Sequence, residues 1–164
     1  MLIILSTILF SLLASAFFSG IEIAYVTSNK FHIEIENKKG HFSFQILSKL
    51  MKKPSRFIAA MLVGNNIALV VYGTFMPELL NPYFYYLATY FPIVGNEYIL
   101  LLGQTVLSTI LILVMAEFLP KAIFNTHSNK LLQVFAVPAQ IFYWIFAPVV
   151  SLMIWVSNAV MKYI

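Results

Sequence analysis

Apolar residues run almost unbroken from Leu2 to Thr27, give way to a polar stretch, and return over about 57–76 and again over about 98–119. A helix needs about 20 apolar residues to cross the hydrocarbon core of a bilayer. The pattern therefore predicts three transmembrane helices at about 2–27, 57–76 and 98–119. Between the first two lies "NKFHIEIENKKGHFSFQILSKLMKKPSR", residues 29–56, with seven of the ten basic residues. Residues 77–97 hold Pro77, Pro82 and Pro92 and not one Lys or Arg. The final third, 131–164, is apolar, but Pro138 and Pro148 divide it into pieces of about nine to sixteen residues. Proline removes a backbone donor and clashes with the preceding turn. The expectation over about 128–164 is thus a pair of short juxtamembrane helices on the cytoplasmic side, not a fourth span, which would carry Lys162 across.

Short loops rich in Lys and Arg stay in the cytoplasm. That rule puts the 29–56 loop inside, the 77–97 loop outside, the N-terminus outside and the C-terminus in the cytoplasm. The aromatics of "YFYYLATYF" then fall at the outer interface. The N-terminus, apolar from Leu2 without a basic leader or small-residue cleavage site, reads as a first membrane helix rather than a removable signal. The chain stops on "NAVMKYI", which reads as one domain of a longer protein.

Composition sharpens this to an all-α integral membrane protein. The chain is 61% hydrophobic and 10% charged, with a mean hydropathy of +0.88; soluble domains sit near ~45–50% and ~25%. The net charge of +4 is no nucleic-acid signature, because the basic residues flank the apolar runs. Without cysteine there is no disulfide and no thiolate metal site. All six acids are glutamates, at 22, 34, 36, 78, 97 and 117, so a Ser-His-Asp triad is impossible. His32, His41 and His127 are scattered in polar loops without ligand spacing and read as solvated. The chain is not expected to be an enzyme.

The chemistry lies in polar residues inside the apolar runs. Ser11, Ser15, Ser19 and Glu22 form one stripe on the first helix. The second helix carries Gly64, Asn65 and Asn66, and the third carries Glu117 followed by Pro120. At about 1.5 Å per residue, Ser19, Glu22, Asn65, Asn66 and Glu117 share the cytoplasmic half of the membrane. Pro120 also leaves the carbonyl of Ala116 without its usual donor. Carboxylates, amide oxygens, a hydroxyl and a free carbonyl make an all-oxygen set suited to Mg2+, Ca2+ or Na+. A carboxylate in lipid costs roughly 2.5–3.5 kcal/mol on insertion scales, so Glu22 needs a polar cavity, a cation or a shared proton. Plainer roles also fit: Ser11 and Ser15 bonding their own i−4 carbonyls, the asparagines as interhelical glue, Glu22 pairing with Lys30, and Glu117 pairing with Lys121.

Together "FFSGIEIAY", "KPSRFIAAMLVGNNIALV" and "MAEFLPK" resemble, in order and spacing, the transmembrane domain of the cyclin M (CNNM)/CorC family of magnesium transport proteins. The resemblance covers essentially the whole chain. It implies a homodimer with three transmembrane helices and two short juxtamembrane helices per subunit, continuing into a cytosolic CBS-domain pair absent from this chain. It implies export of Mg2+, coupled to Na+, with the ion held near the cytoplasmic half. Carried across, the metal residues are Ser19, Glu22, Asn65, Asn66 and Glu117. One departure is Ile21, where family members often have a small or hydroxyl residue. Another is Lys53-Pro54, in place of a commonly acidic start. The competing reading is a membrane scaffold that senses Mg2+ or regulates another transporter without carrying the ion.

Overall fold

The computed structural model describes residues 1–91 and 95–161, and among these every element is helical. The helices are α1 (Leu2–Thr27), α2 (Lys30–Lys38), α3 (Phe42–Met51), α4 (Pro54–Tyr90), α5 (Glu97–Ile112), α6 (Leu119–Thr126), α7 (Ser128–Val134) and α8 (Ala136–Met161), with a π-helical turn at Leu113–Phe118 fusing α5 to α6. Asn29 caps α2 by accepting from the His32 amide at 3.1 Å, and Asn96 caps α5 by accepting from Tyr98 at 3.0 Å. Such side chains satisfy amide groups that the first helical turn leaves unpaired.

Among the described residues, four helices are long and apolar enough to cross a membrane: Leu2–Thr27, Pro54–Tyr90, Glu97–Thr126 and Ala136–Met161. Two expectations are corrected here. The second apolar run does not end at 76, because α4 continues through Pro77 and Pro82 to Tyr90. At about 1.5 Å per residue its 37 residues outreach the hydrocarbon core. Most of the expected 77–97 loop is therefore helix. Nor do the prolines cut the last third into two short helices. The break falls at Phe135, giving one helix of 7 residues and one of 26. Pro138 sits in the first turn of α8, where its missing donor is not needed, and Pro148 is accommodated inside the helix. Pro92 and Lys162 lie outside the described residues.

α1 is the centre of the bundle, packed along α4 on one side and against the π turn and α6 on the other. Two apolar clusters share its length. At the end bearing the basic 29–56 segment, Phe18, Ile21, Ala24 and Tyr25 pack with Phe57, Ala60 and Met61 of α4 and with Ala136, Ala139 and Val150 of α8. Phe18 is held there by Phe17, Phe142 and Phe146, at ring-centroid distances of 5.2, 5.0 and 5.9 Å. At the other end Ile8 packs with Tyr72, Met76 and Leu80 of α4 and with Ile112 and Ala116. Between the clusters, Ser11 and Ser15 of α1 and Asn65 of α4 are buried. A polar layer thus separates two greasy ones.

Candidate functional site

The polar layer is built by close approach of α1 and α4. A Cβ on Gly64 would lie 2.6 Å from the Phe18 ring, and one on Gly20 would lie 2.6 Å from the Phe124 ring of α6. Only glycine leaves room for these rings against the helix backbone, as small residues do at membrane helix interfaces. Ser15 Oγ then donates to Asn65 Oδ1 at 2.6 Å. The plainer expectation for Ser15 is corrected: it bonds across the interface and not to its own helix. Ser11 does bond locally, but to the carbonyl of Ile8 three residues back, at 2.8 Å. Both choices follow from what each serine faces. A buried hydroxyl takes an amide oxygen when one is opposite and falls back on its own helix otherwise.

One turn further along the same stripe stands Ser19, with none of its surface exposed. Its Oγ is buried without a hydrogen-bond partner among the described residues. Such a group is uncommon in folded proteins, since leaving it unpaired costs about 1–3 kcal/mol.

Across from α1, the π turn reshapes the third span. The Leu119 amide bonds to the Val114 carbonyl, five residues back, so it does not serve Met115. Pro120 has no N–H at all. Met115 and Ala116 therefore both lose the donor a regular α-helix would supply. The sequence identified only the Ala116 carbonyl; the wide turn also takes the α-helical donor from Met115. Single π turns inside α-helices occur frequently at functional sites. The readable signal was Pro120, but nothing in the residue types announced the change of register.

The carboxylates gather one turn further along. Lys121 Nζ lies 3.6 Å from Glu117 Oε2, the pairing that i,i+4 spacing offers. Glu22 is half-buried on α1 and lies within electrostatic range of both Lys121 and Glu117. The alternative partner for Glu22, Lys30, gives way to Lys121, which sequence spacing could not find because it sits on another helix. The structure thus joins Ser15 to Asn65 and Glu22 to Glu117 and Lys121. It leaves Ser19 unbonded to either set. Asn66, one residue from Asn65 and so about 100° around the helix, is exposed on the bundle surface. His32, His41 and His127 are exposed, although His32 lies within α2 and not in a loop. No cluster of three or more His, Cys, Asp or Glu occurs among the described residues. Any cation here would rest on two carboxylates and neutral oxygens.

An all-helical bundle with four membrane-length helices and polar groups buried in its middle defines a multi-pass membrane protein. The chain belongs to a particular family of them: residues 5–164 match the Cyclin M transmembrane N-terminal domain. It is also 28% identical over 151 residues to the UPF0053 inner membrane protein YfjD of Escherichia coli (strain K12). That alignment covers 90% of this chain and 31% of the relative, so the chain spans about a third of that protein's length.

Proposed function

We propose that this chain is the membrane domain of a Mg2+ transporter, holding the ion with Ser19, Asn65 and Glu117 and with the carbonyls of Met115 and Ala116. The observation that carries the reading is Ser19: a wholly buried hydroxyl without a partner, one turn from Asn65's hydrogen bond. Mg2+ gives up water reluctantly and needs well-fixed oxygens. A serine fixed in a close-packed interface and carbonyls fixed by a proline supply that rigidity. Glu22 balances charge, alone or as part of a site for a coupling Na+.

Topology enters the same reading. The basic 29–56 segment faces the cytoplasm by the charge rule, which puts the proposed site in the cytoplasmic half; export is the direction that the family resemblance implies. The buried residues of α8, Ala136, Ala139 and Val150, all belong to the cluster at the cytoplasmic end. A helix crossing beside the bundle would also have met the outer cluster. This supports three spans, with α8 lying along the cytoplasmic face and the C-terminus inside. Asn66, polar and exposed at mid-span beside Ile67 and Val70, supports a homodimer, since an amide in lipid is costly unless paired. It reaches an ion only if a second copy brings it there. The longer relative leaves room for a further part, such as the cytosolic CBS-domain pair that the resemblance implies.

The test is thermal unfolding of the purified protein in detergent against Mg2+, Ca2+ and Na+, with Glu117→Gln alongside. A ligand that binds only the folded state adds RT ln(1 + [L]/Kd) to stability. Saturable stabilisation of the wild type by Mg2+, lost in Glu117→Gln, is the expected result. Equal responses of the two proteins would move the function to the non-transporting scaffold, in which the same polar groups serve as packing.

A further inference from the structure

A second place where polar side chains gather, among apolar ones, lies in the opposite half of the bundle, and the site above does not use it. Between α4 and α5 runs a cavity of about 300 Å³, lined by Tyr72, Gly73 and Pro77 on one helix and by Gln104, Thr105 and Ser108 on the other. It continues into a cavity of about 390 Å³ that shares Pro77, Leu101 and Gln104 and ends at Asn81, Gly95 and Glu97. Gln104 stands where the two meet, 3% exposed, its Nε2 donating to Asn81 Oδ1 at 2.7 Å.

Three features make this more than a gap between helices. Pro77 has no N–H, so the carbonyl of Gly73, four residues earlier, loses its α-helical donor. Gly73 itself has nothing within 4 Å of where a Cβ would be, which leaves room beside that carbonyl. Ser108 Oγ is buried without a hydrogen-bond partner among the described residues, while its own carbonyl accepts from the Tyr72 hydroxyl at 3.1 Å. The construction repeats that of the first site: a proline-freed carbonyl on one helix and an unpaired serine hydroxyl on the other. The lining oxygens are neutral, however, and the sole carboxylate stands at the end near Gly95.

We propose that this cavity is a hydrated vestibule through which a cation passes between the membrane interior and the side opposite the basic segment, with Glu97 at its mouth and the Gln104–Asn81 bond across its narrowest part. Neutral oxygens without a fixed counter-charge hold a cation with its water weakly. Weak holding is what a release path requires, since conduction needs binding that still lets the ion leave. The direction of passage rests on the transporter reading above; the hydration and the cation preference do not.

The absence of cysteine makes the test direct. Single-cysteine variants Ser108→Cys and Thr105→Cys, in intact cells, are treated with membrane-impermeant methanethiosulfonates of either charge. Leu102→Cys, on an exposed apolar position of the same helix, is the lipid-facing control. Thiolate, not thiol, reacts, and it forms only where water reaches. We expect both cavity cysteines to react from the side of the Glu97 end at least tenfold faster than the control. We also expect the cationic reagent to outpace the anionic one, an advantage that Glu97→Gln reduces. Rates equal to the control would mean that lipid or a second copy fills the groove, and would overturn the proposal. So would labelling from the basic side alone, or equal rates for both reagents. Loss of the Mg2+ response in the unfolding assay would sink the transporter reading without touching these rates, so the two failures are distinguishable.

Discussion

Ser19→Ala separates the ligand role from packing most sharply, because the two predict opposite signs. Ser19 is fully buried and its hydroxyl is unpaired. Were it packing glue, the alanine variant would lose a hydrogen bond and unfold earlier. As an unpaired group, its removal instead relieves a desolvation penalty of about 1–3 kcal/mol at the loss of one small atom's packing. In buffer stripped of divalent ions the variant should therefore be the more stable protein, by about 2–4 °C in midpoint for each kcal/mol in a chain of this size. With Mg2+ present the gap should close, and the order should reverse once the wild type's extra gain exceeds that penalty. At a hundredfold excess over Kd the wild type gains about 2.7 kcal/mol, and the variant gains less because one ligand is missing. The assay is the unfolding midpoint of both proteins over a Mg2+ titration, with Ser11→Ala as the control. Ser11 bonds the carbonyl of Ile8 on its own helix, so its loss should leave the Mg2+ response unchanged. Curves that cross support a ligand. A Ser19→Ala protein that is weaker in metal-free buffer, or whose Mg2+ response parallels the wild type, refutes the reasoning.

Two further outcomes follow from packing. Gly64→Ala drives a methyl into a Phe18 ring that Phe17, Phe142 and Phe146 hold in place, so it should cost about 1–3 kcal/mol of overpacking. Gly73→Ala on the same helix meets nothing within 4 Å and should be nearly neutral in the same unfolding assay; equal costs would show that the close approach of α1 and α4 is wrong. For α8, single cysteines at the exposed positions Trp155 and Val160 should react with impermeant reagent from the same side as a cysteine placed in the 29–56 segment. Reaction of Val160→Cys from the opposite side would mean that α8 crosses.

The fold was legible where residue type acts locally. Runs of apolar residues locate α1, and nearly locate α5 with α6, because span length is a property of the chain and the bilayer alone. Boundaries read from proline were wrong in both places. Pro77 and Pro82 stay inside α4, and Pro148 stays inside α8; where water is scarce, helix is the cheapest way to satisfy the backbone on either side of the break. Phe135, where the chain does break, carries no residue-type signal. The site was half legible. Depth arithmetic put Ser19, Asn65 and Glu117 on facing helices. It could not tell which face of α4 turns inward, and so paired Asn66 with Asn65 although only Asn65 is buried. Nor could it find Lys121 near Glu22, or the π turn that redirects the Leu119 amide from Met115 to Val114.

Lys121 bears on why the chain accepts a carboxylate at Glu22 at all. Two glutamates at one depth repel each other. The ammonium of Lys121, 3.6 Å from Glu117 and in range of Glu22, supplies one positive charge where a divalent ion would supply two. It therefore lowers the cost of keeping the glutamates charged without cancelling it. Under the proposed transporter reading, that incomplete balance is what a carrier needs. A fully neutral trio would leave a divalent cation little to gain, and two bare carboxylates would hold it too tightly to let go. Because Lys121 follows Glu117 by one turn on the helix that Pro120 and the π turn distort, any change of register there moves the ammonium and the freed carbonyls together. Charge balance and oxygen geometry are thus coupled through six residues of one helix, from Ala116 to Lys121.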